Sequence, residues 1–577
     1  MSRRVGERMV RWLDPRGLAV TGVEELLSGI FGKYADRREL EASTPAPEPI
    51  SFRDRDELWI DYIADSGDGW NSTASVAWAA CREWTVGETP VRTVPGDVLV
   101  LGGDEVYPSA RIDRYRSRLL APFRAASVDL DAPRGKRVVY AIPGNHDWYD
   151  GLNAFTRVFM KPGSFLGWAA PQTRSYFAVR LSPRWWLLGI DLAFDRYLDD
   201  AQLRFFRELQ GPGGILPRDW IILCTGKPAW AYQRLRGERR SKGRTEGRIA
   251  LQEFEDEIVY RWGCDLPLVL SGDLHHYSRY ASSNGRQRLT VGGGGAFLYP
   301  THGLAECLPW GPAPSARARG ETEPEQLQLE HCYPDKPASC KLRRRIPLGP
   351  FLNPWFLVVV GVIHVVMALQ ARGHLSEPVD SVVESLLGAD PQKIAAALFT
   401  QPIAGLLTVL VLAGLVAFAD AGNRWLRILV GATHWICQMG AVVLSMFVAF
   451  RVAEFLGFSS AAEPDDLGKV GAISAIIVVV FVFGAMLGGL VMGLYLRIME
   501  RFGGHANEAF AALHLSRHKC FLRMRLDADG GLWLFPMKID RACKDWEPVE
   551  AGEPTPQACI EPELIEGPIR IPPIGVG

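Results

Sequence analysis

Short apolar runs punctuate the first part of the chain, and each ends in polar residues. Leu58 to Ala64 leads into Asp65, Val98 to Leu101 into Asp104, Val138 to Ile142 into Asn145, and Leu266 to Leu270 into Asp273. Runs this short, rich in Val, Ile and Leu, read as strands buried on both faces in an α/β core. Polar side chains placed just past the ends of such strands are where open α/β sheets form their sites, because the strands fix the geometry and the loops are free to vary.

Near Phe351 the pattern changes. A basic run, Lys341 to Arg345, is followed by apolar stretches at about Pro354 to Leu369, Pro402 to Phe418, Ile428 to Phe450 and Val470 to Leu496. Their lengths bracket the roughly 20 residues a helix needs to cross a bilayer, and the first two are short enough to be re-entrant or buried core helices. Four in succession predict a multi-pass cell-membrane protein. Lys341, Arg343, Arg344 and Arg345, then Arg424 and Arg427, then Arg497 and Arg501 flank the stretches at what would be one end. The intervening loops carry Glu377, Asp380, Glu384 and Asp390, then Glu454, Glu463, Asp465 and Asp466. Basic residues stay on the cytoplasmic side, so both termini are expected there. Gly484 with Gly488, and Gly489 with Gly493, have the small-xxx-small spacing that allows close helix approach, either in a compact bundle or in a homodimer through the fourth span.

After Arg501 polarity returns. Cys520 to Leu526, a turn at Asp527 to Gly531, and Leu532 to Ile539 predict a hairpin in a small cytosolic appendage, followed by a Pro-rich tail. The resulting division is an N-terminal helical or linker segment (1–50), a polar domain (51–345), a transmembrane region (346–500) and a C-terminal segment (501–577). The formal net charge of -1 gives no field that would steer nucleic acid, and the ten cysteines form no CxxC pair, which argues against a zinc ribbon.

The chemistry gathers in Asp65-Ser66-Gly67-Asp68-Gly69, Gly103-Asp104-Glu105-Val106-Tyr107, Gly144-Asn145-His146-Asp147 and Gly272-Asp273-Leu274-His275-His276. Hard oxygen donors mixed with imidazole suit manganese, iron or zinc. In this order the groups resemble the calcineurin-like metallophosphoesterase superfamily, whose pattern is DxH or DxG, GDxx, GNHD/E, a separate His, and GHxH. The resemblance covers about Phe52 to His302. It implies a metallophosphoesterase-type β-sandwich flanked by helices, ahead of the four-helix membrane region. By position it implies Asp65, Asp104, Tyr107, Asn145, Asp273 and His275 as metal donors, with Asp104 as the bridging carboxylate, Asn145 as a ligand of the second metal and His146 as the catalytic histidine. Asp147 is then expected to orient His146 by a hydrogen bond.

Three positions depart from the family pattern. Gly67 stands where many members have histidine, Gly226 in Cys224 to Trp230 stands where the separate His is expected, and Asp273 replaces the first His of GHxH. One or two divalent ions are therefore expected, with His276 or His302 as compensating ligands. The implied activity is hydrolysis of a phosphoester, lipid-linked esters included, by metal-activated water. The alternative is a membrane-anchored sensor that binds metal or phosphate without turnover.

Overall fold

The computed structural model describes residues 6–17, 20, 22, 23, 46–127, 137–161, 163–166, 168–192, 198–234, 242–311, 323–375, 391–400, 402–456, 466–548, 554–556 and 560–572. The acidic loop residues between 376 and 390, and Glu463 and Asp465, lie outside the described residues.

The apolar runs form the expected strands. β1 (Leu58–Ile63) is buried along its whole length and is followed by the Ala-rich helix α1 (Trp70–Ala80), then β2 (Val98–Leu101) and β3 (Val138–Ala141). These three strands are parallel neighbours in the first large sheet. Alternate residues of β1 serve different layers, with Leu58, Ile60 and Tyr62 facing one core and Trp59 and Ile63 another that includes α1. A strand covered on both faces has no reason to alternate polar with apolar, which explains why β1 is apolar apart from Asp61.

The second large sheet is built on β4 (Trp185–Ile190), β5 (Trp220–Thr225), β6 (Asp265–Ser271), the antiparallel β7 (Tyr277–Ser282) and β8 (Gln287–Val291). β4, β5, β6 and β8 run parallel. Ile60, Val100 and Tyr140 from the first sheet share one buried cluster with Leu187, Ile222, Leu268 and Leu289 from the second, so the two sheets enclose a common core.

The apolar region begins with α2 (Pro354–Leu375) and continues through α3 (Pro402–Phe418), α4 (Arg424–Phe455) and α5 (Asp466–Arg501). Among the described residues, two helices are long and apolar enough to cross a membrane unaided, at Arg424–Phe455 and Ile473–Arg501. Two further candidates are bent pairs, Lys336–Leu352 with Pro354–Gln370 at 62° and Ile394–Thr400 with Pro402–Phe418 at 90°. The count is therefore two to four, and the shortness of the first two stretches in the sequence corresponds to these breaks. The glycines of α5 are used within the chain. A Cβ on Gly484 would stand 2.5 Å from the His364 ring, one on Gly488 2.5 Å from Val360, and one on Gly489 2.6 Å from Leu357, all on α2. This packing within the chain takes the face on which the homodimer reading rested.

The C-terminal hairpin is also placed differently from expectation. β9 (Arg517–Leu526) and β10 (Leu532–Arg541) form the expected strand pair, but β9 pairs antiparallel with β1, from Leu58↔Leu526 to Tyr62↔Leu522. The segment beyond the apolar helices is thus part of the first sheet rather than an appendage. The tail adds a clasp in which Glu566 accepts from Tyr277 Oη at 2.6 Å and from Arg279 Nη2 at 2.7 Å, both on β7.

Candidate metal centre

The carboxyl ends of β1, β2, β3, β5 and β6 bring the sequence motifs to one place. Asp65, Asp104 and Asp273 all adopt left-handed backbone, with φ of 56°, 52° and 66°. That conformation costs a non-glycine residue about 1–2 kcal/mol and is stored where the surroundings enforce it. Gly292 to Gly295 supply part of that enforcement. Gly294 N–H donates to Ala64 O at 2.9 Å, Ala296 N–H donates to Asp65 O at 2.8 Å, and a Cβ on Gly292 would lie 2.5 Å from Asp65 Oδ2.

Tyr107 is the hub. Its buried phenol oxygen is 3.1 Å from Asp65 Oδ1, 3.4 Å from Asp104 Oδ2 and 2.9 Å from His275 Nε2, and His275 Nε2 is 3.7 Å from Asp65 Oδ1. Donors about 2.0–2.2 Å from one cation stand roughly 3–3.5 Å from each other, so the three distances to the phenol are near the ligand-to-ligand edges of a single site, with the Asp65–His275 edge somewhat wider. Among the described residues no group of three or more His, Cys, Asp or Glu could by itself hold an ion. The convergence runs through the phenol.

The remaining contacts separate the candidates. Asp65 Oδ2 accepts from Asp273 N–H at 2.8 Å, which ties β6 to β1. Asp104 Oδ1 accepts from His146 N–H at 2.8 Å. Asn145 Nδ2 donates to Tyr149 Oη at 3.1 Å, while its Oδ1 is buried without a hydrogen-bond partner. Such an orphan acceptor costs about 1–3 kcal/mol unless a cation or water meets it. Asp273 faces the other way, with Oδ1 3.8 Å from Lys227 Nζ and Oδ2 accepting from Tyr232 Oη.

The expected Asp147–His146 hydrogen bond is absent, and each side chain bonds elsewhere. His146 Nδ1 lies 2.6 Å from Pro108 O, so it must be the protonated nitrogen, donating to that carbonyl. Asp147 instead accepts from Gly144 N–H at 2.9 Å, from Glu105 N–H at 3.3 Å and from Tyr115 Oη, bracing the turn that carries His146. Of the two proposed compensating histidines, His302 bonds Ser339 Oγ at 2.9 Å and Glu500 Oε1 at 2.5 Å, turning toward the end of α5. His276 Nδ1 is 3.3 Å from Tyr299 O. Asp68 accepts from Val10 N–H at 2.7 Å and Phe297 N–H at 3.0 Å, which gives it an anchoring role.

The site is rich in buried acid. Burial first, then the charges of Asp104 and Asp273, hold the Asp65 carboxyl well above the usual range. Burial also raises Asp104, against the opposing pull of His146. Burial and then the charge of Asp104 push Asp147 up to about 8. Burial, with the Asp147 charge second, raises Glu105, and burial keeps the His275 imidazole well below its ordinary value. Neutral imidazole beside crowded carboxyls is a donor set that a cation would relieve. Asp65, Asp104, Tyr107 and His275 fit one divalent ion. In the half of the site beyond Asp104, Gly226 offers no side chain and Asp273 is engaged by Lys227 and Tyr232.

Sequence reasoning missed three features. Trp12 packs edge-on to Tyr107, His146 and Phe297, with ring centroids 6.0, 5.9 and 5.3 Å apart. Glu105 is fully buried beside the centre and accepts from Gly103 N–H at 3.1 Å. Lys519 of β9 is buried with its ammonium on the Ala296 carbonyl.

Fold and site together define a mixed α/β protein with an oxygen-rich candidate cation centre at its strand ends. Residues 58–277 match the family model for calcineurin-like phosphoesterases, the family that the motifs resemble. No curated protein sequence matches the chain. A solved structure described as "GAP50 the anchor in the inner membrane complex of Plasmodium" aligns at 12% identity and TM-score 0.28, over 50% of this chain and 94% of that one. "Structure of PhoD" aligns at 10% identity and TM-score 0.26, over 43% of this chain and 58% of that one. At such scores neither alignment carries weight for the fold or chemistry of this protein.

Proposed function

We propose that this protein hydrolyses a phosphate ester with the help of a divalent cation, manganese, iron or zinc, at the cytoplasmic face of a membrane that it crosses. The observation that carries the reading is the convergence of Asp65, Asp104 and His275 on the Tyr107 phenol, inside the segment that matches the family. These four residues would hold the ion, with Asn145 Oδ1 as a further donor. When bound, the ion supplies Lewis acidity that brings the pKa of water toward neutrality and offsets charge on the phosphoryl oxygens.

The chain's own contribution centres on His146. Because Nδ1 is fixed on Pro108 O, the ring has one orientation, and Nε2 is the nitrogen available to a leaving oxygen. In the imidazolium form Nε2 donates a proton there, an effect typically worth about a hundred- to ten-thousand-fold. The His146 N–H to Asp104 contact makes the acid and the carboxylate one mechanical unit. Asp147 acts indirectly, by holding the Gly144–His146 turn.

The membrane placement has separate support. β1 and β9 are hydrogen-bonded, so both flanks of the apolar region belong on one side, which favours two or four crossings over three. Arg343 bonds Glu500 at the end of α5, and His505 N–H donates to Asp420 in the α3–α4 turn, which gathers the basic clusters at one end of the helices. The positive charge favours the cytoplasm for that end.

The test is detergent-purified full chain loaded with Mn²⁺ and offered aryl phosphate mono- and diesters. Hydrolysis should exceed an Asp104→Ala control, and parity with that control across both ester classes removes the enzyme reading. A non-catalytic sensor is the second reading, favoured by the engagement of Asp273 with Tyr232 and Lys227. It requires metal and phosphate binding with no turnover.

A further inference from the structure

The two halves of the site differ in how they are equipped. One half holds Asp65, Tyr107 and His275 at ligand-to-ligand spacing. In the other, Gly226 presents only backbone, and a Cβ there would sit 3.0 Å from Pro143 O, so the backbone leaves little room for a ligand side chain. Gly103 and Gly144 crowd the same spot, since a Cβ on Gly103 would be 3.1 Å from Gly144 N and 3.5 Å from Gly226 Cα. The residue that follows Gly226 is Lys227, whose ammonium lies 3.8 Å from Asp273 Oδ1. Its side chain is 21% exposed and that of Asp273 12%, so the pair stands at the mouth of the site.

We propose that Lys227 takes the place of a second cation, binding the substrate's phosphoryl oxygens across from the Asp65–Tyr107–His275 donors. The inference rests on the phosphoesterase reading above and assigns it a one-metal, one-lysine site. An ammonium is a compact point charge with three N–H donors, suited to phosphate oxygens that need charge without a fixed plane. Asp273 holds that charge at the strand end, and Tyr232 holds Asp273. Asp273 N–H in turn donates to Asp65, so the lysine's support is joined by one residue to the metal half. Lys227 also acts on Asp104, where its charge opposes the effect of burial. A second divalent ion on this side would have to meet the ammonium charge and take Asp273 from it.

The test has two arms on the full chain in detergent. In the first, Mn²⁺-loaded, gel-filtered wild type is analysed for metal. One equivalent per chain is expected. Two equivalents overturn the lysine inference while leaving the phosphoesterase reading intact, and none overturns both. In the second, binding of inorganic phosphate to the Mn²⁺-loaded protein is measured by calorimetry. Lys227→Gln should weaken it by about tenfold or more at unchanged metal content, with Lys227→Arg restoring most of the affinity. Phosphate affinity in Lys227→Gln equal to wild type overturns the proposal. The metal count on wild type decides it even where a variant does not fold.

Discussion

Asp61 and Arg523 stand 462 residues apart in the chain and directly opposite one another in adjacent strands, joined by hydrogen bonds of 2.7 and 3.1 Å. Both side chains are buried, and Arg523 also donates to the carbonyls of Ala80 and Arg82. The pair fastens the strand that leads to Asp65 to a strand that follows the apolar helices.

Breaking such a pair from one side strands a buried charge. Arg523→Ala is expected to cost about 3–5 kcal/mol, read as a lowered unfolding midpoint in detergent. Replacing both partners with leucine should cost less than the single change at Arg523, because no charge is left unpaired. A chain ending at Arg501 should fail to give a folded catalytic domain. If Arg523→Ala unfolds within about 1 kcal/mol of wild type, the C-terminal hairpin is not integral to the sheet.

Part of this architecture was legible locally. A buried strand announces itself by continuous apolar residues, and Asp65, Asp104, Asn145 and Asp273 stand just past four such runs. The hairpin of β9 and β10 was equally visible through its turn, but its partner was not, because nothing near Arg523 encodes an aspartate 462 residues earlier. The same limit hid Trp12, whose contacts with Tyr107 and His146 close over a long loop of sequence. Asp147 misled for a different reason. Its neighbour in sequence is His146, yet a helical turn points the two side chains apart, leaving the carboxyl to the backbone of Gly144 and Glu105.

Tyr107 should matter to the cation more than its single hydroxyl suggests, because three donors meet on it. Tyr107→Phe is expected to weaken Mn²⁺ binding by about 10- to 100-fold, and Asp104→Asn more strongly. Titration of the metal-free protein measures both. Equal affinity in wild type and Tyr107→Phe would move the ion away from the phenol.

His146 and Asp147 should part ways under mutation. His146→Gln is expected to lower kcat by about 10²–10⁴ with metal content unchanged and to remove one limb of the pH–rate profile. Asp147→Asn should chiefly lower stability, since it weakens acceptors for Gly144 N–H, Glu105 N–H and Tyr115 Oη, and should leave the shape of the remaining profile as it was. A profile that changes identically in both variants would return Asp147 to a direct role on the imidazole.

Lys519 gives the protein a stability that depends on alkaline pH. Its ammonium is buried, donating to the carbonyls of Ala296 and, at 3.2 Å, Leu515, and burial pulls its pKa from 10.5 down to about 8, with Asp68 opposing. Between those two values the unfolded chain keeps a proton that the folded chain has released. Stability rises with pH wherever the unfolded state binds more protons, so the cost of the buried charge is complete below about 8 and is relieved as pH approaches 10.5. Lys519→Met has no such group. The unfolding free energy of wild type relative to Lys519→Met should therefore climb across this window, by on the order of 3 kcal/mol at most. Groups common to both proteins cancel in the difference, and parallel curves would mean that Lys519 keeps its proton through the whole range.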